Sequence, residues 1–152
     1  MSISLREITK ENFSECVKLK VAEGQEGFVA PNVYSIAQTK VYPANTACAV
    51  YDDDEMVGFV MYGLDEDDGR YYLGRLMIDE KFQNRGYGRA AVLEVIQKAR
   101  EIDGCEKLYL SIVPGNTSAE KLYSDIGFEK TGEILEGEIV MRFDLAKAAV
   151  IK

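Results

Sequence analysis

Apolar and polar residues recur along the chain with two different periods, and each switch between them marks an element. "SISLREI" (2–8) alternates Ile3, Leu5 and, after a slip, Ile8, which predicts a strand. "TKENF" follows, with Thr9 as candidate N-cap of a helix carrying Phe13, Val17 and Leu19. Gly24, Gly27 and Pro31 in "GQEGFVAPN" break that helix. "VYSIAQTKVY" predicts a second helix, stopped by Pro43. "TACAVYDDDEMVGFVMYGL" predicts a hairpin, with strands near 46–51 and 56–63 about an acidic turn from Asp52 to Glu55. A second acidic turn, Asp65 to Gly69, leads into the strand "RYYLGRLMI". A long helix comes next, with Val92, Val95, Ile96, Ala99 and Ile102 on one face and Gly104 at its end. "KLYLSIV" (107–113) predicts a strand. "PGNTSAEKLYSDIG" predicts a short helix opened by Asn116 or Thr117 and stopped by Gly127. "FEKTGEI" and "IVMRFDL" close as a hairpin around Glu136 and Gly137. The order β-α-α-β-β-β-α-β-α-β-β is a mixed α/β (α+β) pattern and not a doubly wound one. No repeat, low-complexity tract or linker interrupts it, so one domain over 1–152 is expected.

Composition narrows the chemistry. The chain of 152 residues is long enough to bury a real core, and 47% apolar with 29% charged residues is ordinary for a globular protein. No apolar run approaches the roughly 18 residues of a membrane span, and "MSISLREITKENF" lacks the apolar stretch of a signal peptide. A cytoplasmic location without membrane contact is the expectation. The net charge of −8 opposes non-specific nucleic-acid binding. It suits a cationic small molecule, although a negative surface also serves solubility alone. There is no histidine, and Cys16, Cys48 and Cys105 form no CxxC pair. No metal site of the Cys/His kind and no disulfide framework is expected, and the cysteines read as small buried hydrophobes. Ser-His and Cys-His schemes are excluded, so any acid or base must be Asp, Glu, Tyr, Lys, Cys, water or backbone.

The most informative stretch is "QNRGYG" (83–88), set between a strand and a helix. A helix start offers about four unpaired N–H groups and roughly half a positive charge. Glycines there let the main chain approach an anion closely, and phosphate is the common guest. Arg85 and Arg89 add cationic donors. A tight turn without a ligand has the same appearance. GxxxxGK[ST] is absent, and GxGxxG is only partly matched because position 91 is Ala.

The spacing Gln83-x-x-Gly86-x-Gly88 resembles the acetyl-CoA motif (Q/R)xxGx(G/A) of the GNAT superfamily of N-acetyltransferases. "GNTSAEKLYSDIGFEKTGE" resembles that family's second signature, and the element order is similar over the whole chain. Within the superfamily, "QEGFVAPNVYSIAQ" with "VGFVMYGL" resembles bacterial spermine/spermidine (diamine) acetyltransferases. The resemblance implies a central, mostly antiparallel sheet with a splayed parallel strand pair and flanking helices. It implies acetyl-CoA as cosubstrate, with the pyrophosphate on the backbone of Gln83, Asn84, Arg85, Gly86, Tyr87, Gly88 and Arg89. Leu76, Met77 and Ile78 would hold the pantetheine arm and acetyl carbonyl. Asn116 would contact the cofactor, although a helix N-cap is an equally good role for it. Tyr123 would protonate the departing thiolate, although on residues alone it reads as a core aromatic beside Ala119 and Ile126. The acceptor loop would bring Glu26 as base, with Glu23 behind it, and Gln25, Phe28 and Asn32 as substrate contacts. The acidic turns at 52–55 and 65–68 are candidate polyamine sites, although turn chemistry alone also accounts for their Asp and Gly residues. The implied function is acetyl transfer to a primary amine such as spermine or spermidine. Other amines (a protein N-terminus, an amino acid, an aminoglycoside) and a non-catalytic acyl-CoA-binding module stay open, as does assembly, a homodimer included.

Overall fold

A computed structural model describes residues 1–149. Its elements are β1 (Ile3–Glu7), α1 (Phe13–Lys18), α2 (Asn32–Val41), β2 (Asn45–Asp52), β3 (Glu55–Leu64), β4 (Tyr71–Ile78), α3 (Tyr87–Arg100), β5 (Lys107–Ile112), α4 (Thr117–Ile126), β6 (Glu129–Leu135) and β7 (Glu138–Asp144). The seven strands form one sheet in the order β1-β2-β3-β4-β5-β7-β6. Every pairing is antiparallel except β4 with β5. This is the mixed α/β arrangement that the element order predicts.

The sheet buries both faces. On one side Ala91, Val92, Val95, Ile96 and Ala99 of α3 meet Val50, Val57, Val60, Leu108, Leu110, Met141 and Phe143. On the other, Cys16 of α1 and Ala49, Phe59, Met61 and Met77 of the sheet form a smaller cluster, joined by Ile36 of α2. Strands buried on two faces explain why β3 reads as a continuous apolar run instead of an alternating one. Burial pushes the Cys16 and Cys48 thiols up to about 11, consistent with inert packing groups.

The first helix departs from its sequence reading. It begins at Phe13 with Asn12, not Thr9, at the N-cap position. Asn12 Oδ1 accepts the Thr9 N–H, and its Nδ2 donates to the Glu7 carbonyl, so the side chain ties down the approach from β1. Phe13 is 41% exposed, whereas Cys16 is fully buried. The helix stops at Lys18, well before Gly24. The cause is tertiary: the Lys20 N–H donates to Asp79 Oδ2, and the Lys20 carbonyl accepts from the Glu80 N–H. A residue so engaged by a distant segment is unavailable to a helix.

Candidate active site

The sheet is split at its middle. β4 and β5 pair only at Tyr71 with Leu108 and Tyr72 with Tyr109. Beyond that, β5 stays with β7 through Ile112, and β4 diverges. A bulge accompanies the divergence. Met61 of β3 pairs with Arg75 and Tyr62 with Leu73, leaving Gly74 as an extra residue in β4. An extra residue reverses which face each later side chain takes. Leu73 therefore joins the α3-side core, while Met77 joins the α1/α2 side. The gap opens into a cavity of ≈ 860 Å³.

One wall is the junction that follows β4. Asp79 is buried, and its Oδ1 accepts the Lys81 N–H, which starts a short 3-10 turn over Glu80–Phe82. Gln83 Nε2 donates to the Ile78 carbonyl and to Gln25 Oε1, linking the junction to the loop before α2. Asn84 and Gly86 both take left-handed backbone, with φ 64° and 87°. That conformation turns the chain into α3, and it is why glycine suits position 86. At position 88 the reason differs: a Cβ there would lie 3.4 Å from Leu122 Cδ2, where α4 crosses. The first-turn N–H groups of α3 have no intrahelical carbonyl to bind. Tyr87 is buried, packs edge-on against Phe82, and donates its hydroxyl to Asp52 Oδ2 at 2.7 Å. This bond holds Asp52 below the usual carboxylate range and raises the Tyr87 phenol.

The opposite wall comes from α4 and the strand ends. Asn116 Oδ1 accepts the Ala119 N–H, so the N-cap role is filled while its side chain lines the cavity. Tyr123 is 8% exposed, stacks edge-on with Phe128, and also lines the cavity. Burial raises its phenol well above the ordinary 10. Such a group stays protonated around neutrality and is a weaker acid than a free phenol.

The expected site residues are largely together. Leu76, Met77, Ile78, Gln83, Asn84, Gly86, Tyr87, Gly88, Arg89, Asn116, Tyr123, Gln25, Glu26 and Phe28 all border one cavity. Three lie elsewhere. Arg85 turns its guanidinium over the Phe82 ring, 5.7 Å from the centroid, and is not in the lining. Glu23 is exposed and also outside the lining. Asn32 is buried and donates to the Cys16 carbonyl and Met77 sulfur, a structural tie between α1, α2 and β4 instead of a substrate contact. The acidic turns are likewise outside the cavity, and Asp52 and Asp68 are engaged by Ser2, Tyr87, Arg70 and Tyr72. Conversely, Arg75, Ser111, Glu136 and Glu138 line the cavity without having been expected there.

Comparison with known proteins identifies this architecture. Residues 4–128 match the family described as Acetyltransferase (GNAT) family. The chain belongs to the GNAT acetyltransferases. Among curated GNAT relatives, the spermine/spermidine N(1)-acetyltransferase of Bacillus subtilis (strain 168) is 34% identical over 148 residues, 93% of this chain and 97% of that one. A probable spermine N(1)-acetyltransferase of Bacillus subtilis subsp. natto is 33% identical over the same extent. The fold also superposes, with TM-score 0.76 and 17% identity, on the spermidine N-acetyltransferase of Vibrio cholerae in complex with CoA and spermine, over 96% of this chain and 97% of the other. In this GNAT chain the split in the sheet, the glycine junction and Tyr123 border one cavity. The sequence motifs pointed to the junction and to Tyr123, while Glu136 and Glu138 carried no signal, because they sit in an ordinary hairpin pattern.

Proposed function

We propose that this enzyme transfers the acetyl group of acetyl-CoA to a primary amine of a polyamine such as spermidine or spermine. The observation that carries the acceptor is the 34% identity, over 93% of the chain, to a relative named for that activity. The cavity agrees with it. Glu26, Glu136 and Glu138 border it, against the two arginines Arg75 and Arg89.

Acetyl-CoA brings the activated acetyl thioester. The residues present fit it. The backbone from Asn84 to Arg89 bends through two left-handed residues into a helix start, a cradle for a pyrophosphate. The edge of β4 from Leu73 to Met77 has no strand partner on the cavity side, so its polar groups can hold an extended, amide-bearing arm. Asn116 stands beside that path, and Tyr123 reaches the same cavity from α4 as the proton donor to the leaving sulfur. Gln25, Glu26 and Phe28, on the loop before α2, cover the acceptor side. Glu26 Oε2 accepts the Gly24 N–H at 2.9 Å and presents its charge to an incoming ammonium, as base or as anchor.

One feature favours a second acceptor class. Arg75 lines the cavity with a guanidinium that donates to the Gly74 carbonyl and Gln38 Oε1, and its positive charge is a match for a carboxylate on an amino acid or peptide. The test is therefore acetyl-CoA consumption with spermine, spermidine, a monoamine of equal length, amino acids and an N-terminal peptide. The polyamines are expected to be preferred, with an advantage that shrinks as salt rises, since exposed attractions are screened beyond about 8–10 Å. Equal rates on all amines without a salt effect, or preference for an amino acid, removes the polyamine reading.

A further inference from the structure

We propose that Glu138, held by Ser111, is the carboxylate that takes the proton from the acceptor ammonium; this rests on the amine acetylation proposed above. Register places the two residues. Ser111 pairs with Val140 and Ile112 with Ile139. Leu108, Leu110 and Ile112 of β5, and Met141 and Phe143 of β7, face the α3-side core. The alternate positions, Ser111 and Glu138 with Val140 between them in the ladder, take the acceptor face. There Ser111 Oγ donates to Glu138 Oε1 at 2.8 Å, which fixes the direction of the carboxylate and leaves its other oxygen for a ligand. Both residues line the cavity, at the place where β5 leaves β4. Tyr123 enters the same cavity from the opposite face of the sheet.

The neighbouring carboxylates sharpen the choice. Glu133 is paired with Arg70, Glu129 with Lys147, and Glu120 with Lys130. Among the described residues Glu138 has no such ion pair, although it is half-buried. Glu136 and Glu26 are exposed. A half-buried carboxylate with a hydroxyl on one oxygen and no cation beside it is suited to receive one from solution. A carboxylate that merely paired with the reacting ammonium would raise its pKa and hold it unreactive. Glu138 must therefore also accept its proton.

The protons balance. An ammonium nitrogen carries three and the amide product retains one. One goes to Glu138 and then to solvent, freeing the lone pair that forms the C–N bond. As the C–S bond breaks, the sulfur takes a proton from Tyr123. The second nitrogen proton restores that phenol through water.

The experiment compares kcat and KM against pH for wild type, E138Q, S111A and E26Q. The substrates are spermidine and an amine of low basicity, and acetyl-CoA affinity and a thermal melt serve as folding controls. With spermidine, E138Q is expected to lower kcat by roughly 10²–10⁴ near neutrality and to move the profile toward alkali. On the weakly basic amine, which arrives unprotonated, its rate stays within a few-fold of wild type. S111A gives a smaller change in the same direction. E26Q raises KM and leaves the profile in place. A folded E138Q with wild-type kcat and profile overturns the assignment, and so does an alkaline shift in E26Q alone. If wild type acetylates spermidine in either of those cases, the polyamine reading survives. If wild type acetylates only another amine and E138Q impairs that, Glu138 stands and the polyamine reading falls. An enzyme that acetylates no amine overturns both.

Discussion

Tyr123 stands where both readings that the sequence sets against each other, packing residue and proposed acid, have a place. It packs against Phe128, as a core aromatic would, and it borders the cavity, as an acid must. Tyr123→Phe keeps the ring and removes only the proton, so turnover should fall roughly 10²–10⁴-fold with acetyl-CoA affinity little changed. Turnover within a few-fold of wild type would leave Tyr123 a packing residue only. The raised phenol pKa has a sign. Its stabilising contribution is present below the unfolded value of about 10 and is lost as pH rises past it. The acid therefore stays protonated through the neutral range. A pH series of kcat should show no alkaline loss attributable to Tyr123 below about pH 10. At this scale family resemblance, and not the residues alone, singled out Asn116 and Tyr123, and both line the cavity. The sequence was silent on Ser111 and Glu138, which become a pair only when β5 and β7 align.

The junction from Asp79 to α3 is held from three sides as an element. Asp79 ties it to Lys20, Gln83 to Gln25, and Tyr87 to Asp52 at the end of β2. Gly86→Glu puts a carboxylate and a side chain on a backbone of φ 87°, and should abolish thermal protection by acetyl-CoA. Undiminished protection in a folded variant removes the junction from the cofactor site. Asp52→Asn tests the tether instead. Asp52 is depressed in the fold first by the Tyr87 hydroxyl and then by the Ser2 N–H. Its contribution is present above the unfolded carboxylate value of about 3.9 and is lost as pH falls through the lower folded one. The gap in urea midpoint between wild type and Asp52→Asn should thus close as pH is lowered from 6 toward 3, on the order of that pKa window. A gap independent of pH means the bond contributes nothing through charge. Every strand and α-helix was visible in the pattern, although in α1 the buried residue is Cys16 and not the expected Phe13. The end of α1 was not, because Lys20 answers to Asp79, a residue far along the chain.

At the scale of the whole molecule, the sheet is two sheets that touch. β1 to β4 make one, β5, β7 and β6 the other, and two residue pairs join them. Sequence reading reached this split only through family resemblance, since nothing in the pattern of β4 or β5 says where pairing stops. The bare edge it leaves would be an aggregation hazard at the rim of a sheet. Here it lies inside the fold, beyond the two pairs that join β4 to β5. On the path proposed above, the cosubstrate would be an eighth strand that the polypeptide does not encode. That view is open to hydrogen–deuterium exchange. Amides between Leu73 and Met77 that face the split should exchange fast in the free enzyme and slow markedly with CoA. Those of β2 and β3, paired on both edges, should be slow in either state. Equal exchange with and without CoA at those β4 amides would mean the ligand passes the gap without joining it. If the protection appears, each turnover removes and replaces a strand from the centre of the sheet, and the rate of product release becomes the rate at which a β-sheet gives up one of its members.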